Sequence, residues 1–314
     1  MSTVDTAVRT AIARCNIGDV RCWAPIATGY EDPSLDVLTT AGRFVVKLFD
    51  PRHRGHIPAR IAHLVALVRR QGVRHPLLLS DRDGLILHHT PAGTALVMRR
   101  LPAADYYVLG RPPTRTELAH VIEQAARVHT VFTSLPPIHD PWAIPNLPAL
   151  ARELRPRLDV EQRDLVTAAV DAYTSVDHRS LPRVLIHGDL TKGNVLADPD
   201  GAVALIDFAC ADHHPRVQEL AVIAANLTHG PDAAPILTRA AQIAQLYPDR
   251  PPFRPLTSAE HEALPSYTFA AAAMEFLGAV READLHHRND HENCTIMNLG
   301  LTGLRHAAAG LNAP

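Results

Sequence analysis

The sequence predicts an α+β fold of two lobes: a small β-rich N-lobe with one main helix and a larger, mostly α-helical C-lobe. Two apolar runs of strand length lie in the first 100 residues, with one helical stretch between them. After residue 101 the apolar residues recur mainly at helical spacing. A chain of 314 residues can bury two cores, so we expect lobes at residues 1–101 and 102–314.

The N-lobe elements are predicted from the spacing of apolar residues and from a glycine that ends a helix. Arg43–Phe49 and Thr94–Arg100 are apolar or alternating over strand length, which predicts two strands. Between them, apolar residues recur at helical spacing from Ile57 to Gln71, and Gly72 follows as a helix stop. The order strand, helix, strand is therefore predicted.

The C-lobe is predicted to contain one small hairpin among helices. Thr116 and Glu117 mark the start of the first helix. Three short apolar runs lie between Val184 and Asp207, and the turn sequence Asp198–Gly201 joins the last two as a hairpin. From Arg216 onward the chain is predicted to be helical.

Charge and composition limit the classes of partner. The formal net charge is -2 and 20% of residues are charged, so we expect no nucleic-acid partner. Asp5, Arg9 and Arg14 interrupt the apolar pattern of the first twenty residues, so we expect no signal peptide, no membrane association and a cytoplasmic location. Four scattered cysteines without a CxxC pair are typical of reduced thiols.

The segment from Ile186 to Phe208 carries a constellation of oxygen ligands. Asp189 is followed by Asn194 five residues later and by Asp207 thirteen residues beyond that. Phosphoryl transfer needs an acceptor hydroxyl held in line and divalent ions that offset phosphate charge. We interpret Asp189 as the base that accepts the hydroxyl proton, and Asn194 and Asp207, at the two ends of the hairpin, as ligands of Mg²⁺.

His187–Leu190, Asn194 and Ile206–Phe208 resemble the aminoglycoside phosphotransferase and choline kinase superfamily, relatives of the protein kinases. The resemblance implies a bilobal protein-kinase-like fold that uses ATP or GTP with Mg²⁺ to phosphorylate a hydroxyl group. Gly188 stands where protein kinases have arginine, as in the small-molecule branch. The C-terminal tail is similar to that of the homoserine-kinase-like members.

The resemblance also implies a nucleotide site. Lys47 matches the strand lysine that contacts the α- and β-phosphates, and residues 27–34 occupy the place of the phosphate-covering hairpin, where Ser34 is a candidate contact or a plain turn residue. The strand and hinge at residues 96–102 are expected to hold the adenine. The other candidate contacts, for which ordinary core packing is the alternative, are Met98, Arg100, Leu196 and Ile206.

The sequence departs from the family at three positions. No Asp or Glu occurs from Pro51 to Gln71, so the helix glutamate that pairs with Lys47 is missing, and Asp207, Glu31, Asp32 or the nucleotide must orient the lysine. Glu219 replaces the aspartate that braces the catalytic loop through backbone amides. Lys192 replaces a common proline and is either a catalytic neutraliser of the transferring phosphate or a solvated side chain.

The acceptor implied by the sequence is a small hydroxyl compound with an amine: an amino alcohol, an amino acid such as homoserine, or an aminoglycoside-type antibiotic. Its pocket is expected to be bordered by acidic residues, for which helix-surface charges are the alternative. The candidates are Asp212, Glu275, Glu282 and Asp284.

Two other functions are considered. The first is a non-catalytic nucleotide-binding pseudokinase, against which the intact Asp189 and Asp207 argue. The second is a kinase of protein or RNA, for which the basic residues between Arg52 and Arg74 are the support.

Overall fold

The computed structural model describes residues 2–26, 32–50 and 56–311. Five antiparallel strands form a sheet in the order β1-β2-β3-β5-β4. The strands are β1 (Val20–Pro25), β2 (Ser34–Thr39), β3 (Gly42–Phe49), β4 (His88–Thr90) and β5 (Gly93–Arg99). The two predicted strands, β3 and β5, are confirmed as central neighbours.

Two helices pack on this sheet. The predicted helix is α2 (Ile57–Arg70), and Gly72 follows its end with a left-handed φ of 79°. The sequence predicts one main helix, and α1 (Thr3–Arg14) is a second, capped by the Ser2 side chain. Its buried face packs on the sheet, so the N-terminal region has a helix on each side of the strands.

Strand alternation assigns the two faces of β3. Phe44, Val46 and Leu48 point toward α1, in a core that also contains Val37 and Val97. Val45 and Lys47 point the other way. The register pairs Lys47 with both Ser34 and Leu96, which aligns these three residues across the strands.

The C-terminal region is mostly helical, as predicted. Its helices are α3 (Tyr106–Leu109), α4 (Arg115–His129), α5 (Leu147–Leu154), α6 (Val160–Thr174), α7 (Arg216–Val222), α8 (Ile236–Leu246), α9 (Ser258–Leu285) and α10 (His291–Leu311). Helix α4 starts slightly earlier than predicted, because Thr114 is its N-cap and forms a reciprocal capping box with Glu117. Division of the lobes at residue 101 stays a prediction.

Five short strands lie in the C-terminal region, and three of them flank the residues of the predicted catalytic motif. They are β6 (Ala104–Asp105), β7 (Arg183–Ile186), β8 (Val195–Ala197), β9 (Val203–Leu205) and β10 (Asp212–Pro215). Strands β8 and β9 pair as the predicted hairpin, with Val195 opposite Leu205. The backbone N–H of Ile206 donates to the carbonyl oxygen of Asn194 at 3.0 Å, so the two ends of the hairpin are adjacent.

Helix α9 is the central element of the helical region. It is long and apolar enough to cross a membrane, but 78% of its most apolar stretch is buried against other parts of the protein. It packs along α10, α7 and α6. We therefore describe α9 as a core helix of the C-terminal region.

Candidate active site

A cleft of about 340 Å³ opens between the five-stranded sheet and the helical region. Strands β3 and β5 line one side of the cleft, and the loop after β7 together with α9 and α10 lines the other. The lining includes Lys47, Asp189, Asn194 and Asp207. Residues that lie far apart in the sequence, and that the motif predicted to act together, therefore share one cavity.

Asp189 is held by Asn194. The side-chain amide of Asn194 donates from Nδ2 to Oδ2 of Asp189 at 2.6 Å and to its backbone oxygen at 3.0 Å. Because Nδ2 is engaged, the Oδ1 atom of Asn194 is the atom left for another partner. The contact fixes the carboxylate that we interpret as the base.

Glu219 and Gly188 shape the loop that presents Asp189. Glu219 is fully buried and accepts hydrogen bonds from the backbone N–H groups of His187 and Gly188 at 2.5 and 3.3 Å, the bracing role expected from the sequence. Gly188 has a left-handed φ of 87°, and a Cβ atom there would lie 2.7 Å from the carbonyl oxygen of Cys210. A side chain at position 188 is therefore excluded by both backbone conformation and space.

Lys47 pairs with Asp207. Its Nζ lies 2.6 Å from Oδ2 of Asp207, so one of the partners proposed from the sequence replaces the missing helix glutamate in this structure. Burial alone would raise the pKa of Asp207, but the charge and hydrogen bond of Lys47 lower it below its usual value. Asp207 has a left-handed φ of 63°, a strained conformation that is common at functional sites.

The other oxygen of Asp207 indicates a cation site. Oδ1 is buried and has no hydrogen-bond partner. An orphaned carboxylate oxygen beside an available amide oxygen of Asn194 is the type of donor set that Mg²⁺ accepts, completed by water and phosphate oxygens. The two residues predicted as metal ligands therefore fit the ion.

The predicted nucleotide contacts all line the cleft. Lys47, Ser34 and Met98 come from the sheet, and Val45, which is paired with Met98, lies beside them. The remaining predicted contacts are Arg100, Leu196 and Ile206. The predicted phosphate-covering segment spans residues 27–34. Residues 27–31, which include Glu31, lie outside the described part of the chain.

Helix α2 carries an arginine that points into the protein. Arg60 is 7% exposed and donates to the carbonyl oxygens of Pro136 and Ala211 at 2.5 and 2.7 Å. Its Nη2 also lies 3.5 Å from Oδ1 of Asp212. Asp212 accepts a further hydrogen bond from the backbone N–H of Ile138. Helix α2 therefore contacts the segment that follows Asp207 through the positively charged Arg60 and not through an acidic side chain.

Three of the predicted acceptor residues lie away from the cleft lining. Asp212 is buried in the contact with Arg60. Glu282 lies on a surface patch with His286 and Asp290, and Asp284 pairs with Arg157 at 3.3 Å. Only Glu275 of this set lines the cleft, because it faces inward from the central helix α9.

Lys192 is also absent from the cleft lining. Its backbone N–H donates to Oδ1 of Asn226 at 3.0 Å, and its side chain is close enough to Arg239 for that arginine to affect its pKa. The cleft lining therefore gives no support to Lys192 as a neutraliser of the transferring phosphate, and that role stays a prediction.

Asp140, Trp142, Asn226 and Glu292 also line the cleft and were not predicted as site residues. Together with Glu275 they are called the acceptor pocket below. Asn226 donates from Nδ2 to Oε1 of Glu275 at 3.0 Å. Asp140 and Trp142 lie in an irregular segment without periodicity, so no sequence signal could have assigned them to the cleft.

Burial and like charges change the protonation of this pocket. Burial, followed by the charges of Glu275, Asp207 and Asp140, raises the pKa of Asp189 to about 8. Burial raises the pKa of Glu275 to about 7, although the hydrogen bond from Asn226 opposes the change. Without ligands, Asp189 and Glu275 therefore hold protons near neutral pH.

Comparisons with known proteins are consistent with this geometry. The profile of the phosphotransferase enzyme family matches residues 23–256. Homoserine kinase from Methylobacillus flagellatus is 27% identical over 266 residues, covering 83% of this chain and 79% of that protein.

Two solved structures have the same fold along nearly the whole chain. A microcompartment-associated aminopropanol kinase has a TM-score of 0.71 at 16% identity and covers 98% of this chain and 97% of its own. Spectinomycin phosphotransferase with ADP and spectinomycin has a TM-score of 0.68 at 12% identity, covering 94% and 95%. The predicted kinase fold is confirmed, and the protein belongs to the phosphotransferase enzyme family.

Proposed function

We propose that this phosphotransferase moves the γ-phosphoryl group of ATP to the hydroxyl group of a small acceptor that carries an ammonium group and no carboxylate. The observation that supports the proposal is the acceptor pocket, where Asp140, Glu275 and Glu292 line the same cavity as Asp189. A group of half-buried carboxylates is stabilised by a cation, and Glu292 already lies 3.5 Å from Arg288.

The remaining lining of this pocket favours the same ligand. Trp142 offers an aromatic face, which attracts ammonium groups by a cation–π interaction. Among the described residues, no Lys, Arg or His from the segment 138–146 or from α9 and α10 lines the cleft. A carboxylate on the acceptor would therefore be repelled by the carboxylates of the pocket, and these elements would offer it no basic side chain.

The nucleotide is proposed to lie under the sheet. Lys47 and Ser34 would contact its phosphates, and Met98 and Leu96 would pack against the adenine. Asn194 and Asp207 would hold Mg²⁺, which offsets charge on the phosphate oxygens when it is bound.

Asp189 is proposed to accept the hydroxyl proton of the acceptor. The hydrogen bond from Asn194 at 2.6 Å orients its carboxylate. In the ligand-free protein the raised pKa keeps Asp189 largely protonated at neutral pH. An ammonium group near Glu275 and Asp140 lowers that pKa, so binding of the correct acceptor would itself generate the base.

The experiment is a panel of acceptors with Mg²⁺ and ATP, with ADP release and product mass as the two readouts. Ethanolamine, choline and 1-amino-2-propanol test the amino alcohol class, spectinomycin tests antibiotics, and glycerol is the neutral control. We expect kcat/KM for the best amino alcohol to exceed that for glycerol by at least about 100-fold. Equal turnover of glycerol, or turnover of a peptide alone, would reject the ammonium-bearing acceptor.

L-Homoserine is the second candidate acceptor. The similarity to curated homoserine kinases over 83% of the chain favours it. It carries an ammonium group but also a carboxylate, for which the acceptor pocket offers no basic residue in its described part. If L-homoserine is the best substrate in the same panel, it replaces the amino alcohol as the proposed acceptor.

A further inference from the structure

Three basic residues lie near enough in the C-terminal region to affect one another electrostatically, and none of them lines the cleft. Arg239, on α8, donates from Nη1 to Oγ1 of Thr228 at 3.2 Å. The next residue, His229, donates its backbone N–H to the carbonyl oxygen of Asn226 at 3.0 Å, and Lys192 donates its own N–H to Oδ1 of the same asparagine. The turn at residues 226–229 thus joins Lys192, His229 and Arg239, which are called the basic cluster below.

The basic cluster has no acidic partner. Within the described residues, no carboxylate oxygen lies within 4.0 Å of the charged nitrogens of Lys192 or Arg239. The two other buried arginines differ, because Arg60 faces Asp212 and Arg216 pairs with Glu260 at 2.5 Å. The nearest glutamate along the hydrogen-bond network, Glu275, is engaged by the side chain of Asn226.

Arg239 has unused hydrogen-bonding capacity. It is only 5% exposed, and its Nε atom is buried without a hydrogen-bond partner. A buried guanidinium group without an anion is destabilising. The fork of Arg239 is therefore preorganised for an anion that this chain does not itself supply.

The protonation of the cluster indicates the type of that anion. Burial, together with the charges of Arg239, Lys192 and His306, lowers the pKa of His229 to about 4, so its imidazole is neutral at neutral pH. Burial lowers the pKa of Arg239 to about 10, and the group remains a cation. A guanidinium cation beside a neutral imidazole that can donate one N–H suits an oxyanion such as phosphate.

We propose that Lys192, His229 and Arg239 form a binding site for a phosphate-type oxyanion, either inorganic phosphate or the phosphoryl group of a monoester. Arginine presents a planar fork that matches phosphate oxygens, lysine adds a point charge, and neutral imidazole can donate one N–H. The site adjoins the cleft without belonging to its lining, because none of its three residues lines the cleft, whereas Thr191, Gly193 and Asn226 do.

The test is calorimetric titration with sodium phosphate at constant ionic strength, with a non-hydrolysable ATP analogue and Mg²⁺ filling the cleft. We expect one saturable phosphate site in the wild-type protein. Lys192→Gln should weaken phosphate binding by about tenfold, and Arg239→Gln should weaken it by at least that factor. Arg179→Gln removes an exposed arginine without an ion pair and is the matched control, with binding unchanged.

Lys192 is less buried than Arg239, so its variant decides the question even if the Arg239 variant fails to fold. Absence of saturable binding to the wild-type protein, or equal affinity in the Lys192 and Arg179 variants, would overturn the proposal. Methyl phosphate in a parallel titration separates the two sources: tighter binding than phosphate supports a monoester ligand, and weaker binding supports the free anion.

Discussion

The Nζ atom of Lys47 lies 2.6 Å from Oδ2 of Asp207, so the strand lysine is paired with the candidate metal ligand of the helical region. Helix α2 offers no acid for this pairing, and its buried Arg60 contacts Asp212 instead. The lysine and the helix are thus attached to two residues of one short segment, Asp207 and Asp212. The position of this segment is therefore coupled to both the sheet and α2.

Replacement of Lys47 should weaken nucleotide binding. Lys47→Met removes the ammonium group that is proposed to contact the phosphates and leaves Asp207 without its cation, so we expect the Kd for ATP with Mg²⁺ to rise by about tenfold or more. Calorimetric titration measures the change. Arg21→Met, on the exposed side of β1, is the control, and an equal Kd for both variants would contradict the assignment of Lys47.

Asp189 and Asp207 should differ in the property they control. Asp189→Asn keeps the shape of the side chain but cannot accept a proton, so we expect kcat to fall by about 100-fold or more while the Kd for nucleotide stays within about twofold. Asp207→Asn should abolish the dependence of nucleotide binding on Mg²⁺. The two variants should be compared by turnover and by titration with and without the ion; a shared defect would contradict separate roles.

Arg60 should contribute to stability. Arg60→Met leaves Asp212 as a buried, uncompensated carboxylate, so we expect a loss of roughly 3 kcal/mol in the free energy of unfolding. Chemical denaturation measures this loss. Arg70→Met, at the exposed end of the same helix, should change stability by less than about 0.5 kcal/mol. If both variants unfold at the same denaturant concentration, the buried pair is not stabilising.

The parts of the site that could be predicted from the sequence are those joined by short connections. Asn194 and Asp207 flank one hairpin, so their adjacency follows from strand pairing alone. Gly188 and Asp189 lie within the same motif. Helix α1 could also have been predicted, because Ser2 caps it and its apolar residues recur at helical spacing. Its position as a cover for the sheet depends on packing and could not.

The acceptor pocket could not be predicted in the same way. Asp140 and Trp142 lie in an irregular segment, and Asn226 lies in a helical turn after α7. These residues meet Glu275 only because α9 crosses the helical region, and no local pattern encodes that contact. Glu282 lies seven residues after Glu275 on the same helix, yet it faces a surface patch.

Glu275 should make stability depend on pH. Its folded pKa is about 7, above the ordinary value of 4.5, so the folded state holds a proton that the unfolded chain has already released. Stability must therefore fall as pH rises through the window from 4.5 to 7. Glu275→Gln removes this contribution, on the order of 3 kcal/mol, so the variant should gain stability relative to wild type as pH rises.

Thermal unfolding of the ligand-free protein at several pH values tests the effect of Glu275. Glu262→Gln, on the exposed face of the same helix α9, is the control, and its difference from wild type should not vary with pH. A pH-independent difference for Glu275→Gln as well would show that the folded glutamate titrates normally.

Gly278 should control the acceptor pocket through Trp142. A Cβ atom at position 278 would lie 1.9 Å from Cζ3 of the indole ring, so Gly278→Ala must displace the tryptophan. Alanine is the better helix former by about 1 kcal/mol, so any loss of function would not arise from a weaker helix. We expect KM for the acceptor to rise by about tenfold, with KM for ATP unchanged, because Trp142 lines the cleft and is proposed to contact the acceptor and not the nucleotide.

The movement of Trp142 can be observed directly. The chain has two tryptophans, Trp23 and Trp142, so a Trp23→Phe background isolates the emission of Trp142. Gly278→Ala should shift that emission toward longer wavelengths as the indole ring leaves its contact with α9. Gly310→Ala, near the end of α10, meets only the flexible tip of Leu237 and should change neither emission nor KM. Unchanged emission in Gly278→Ala would mean that the helix moves instead, and an unchanged acceptor KM would remove Trp142 from the proposed ammonium site.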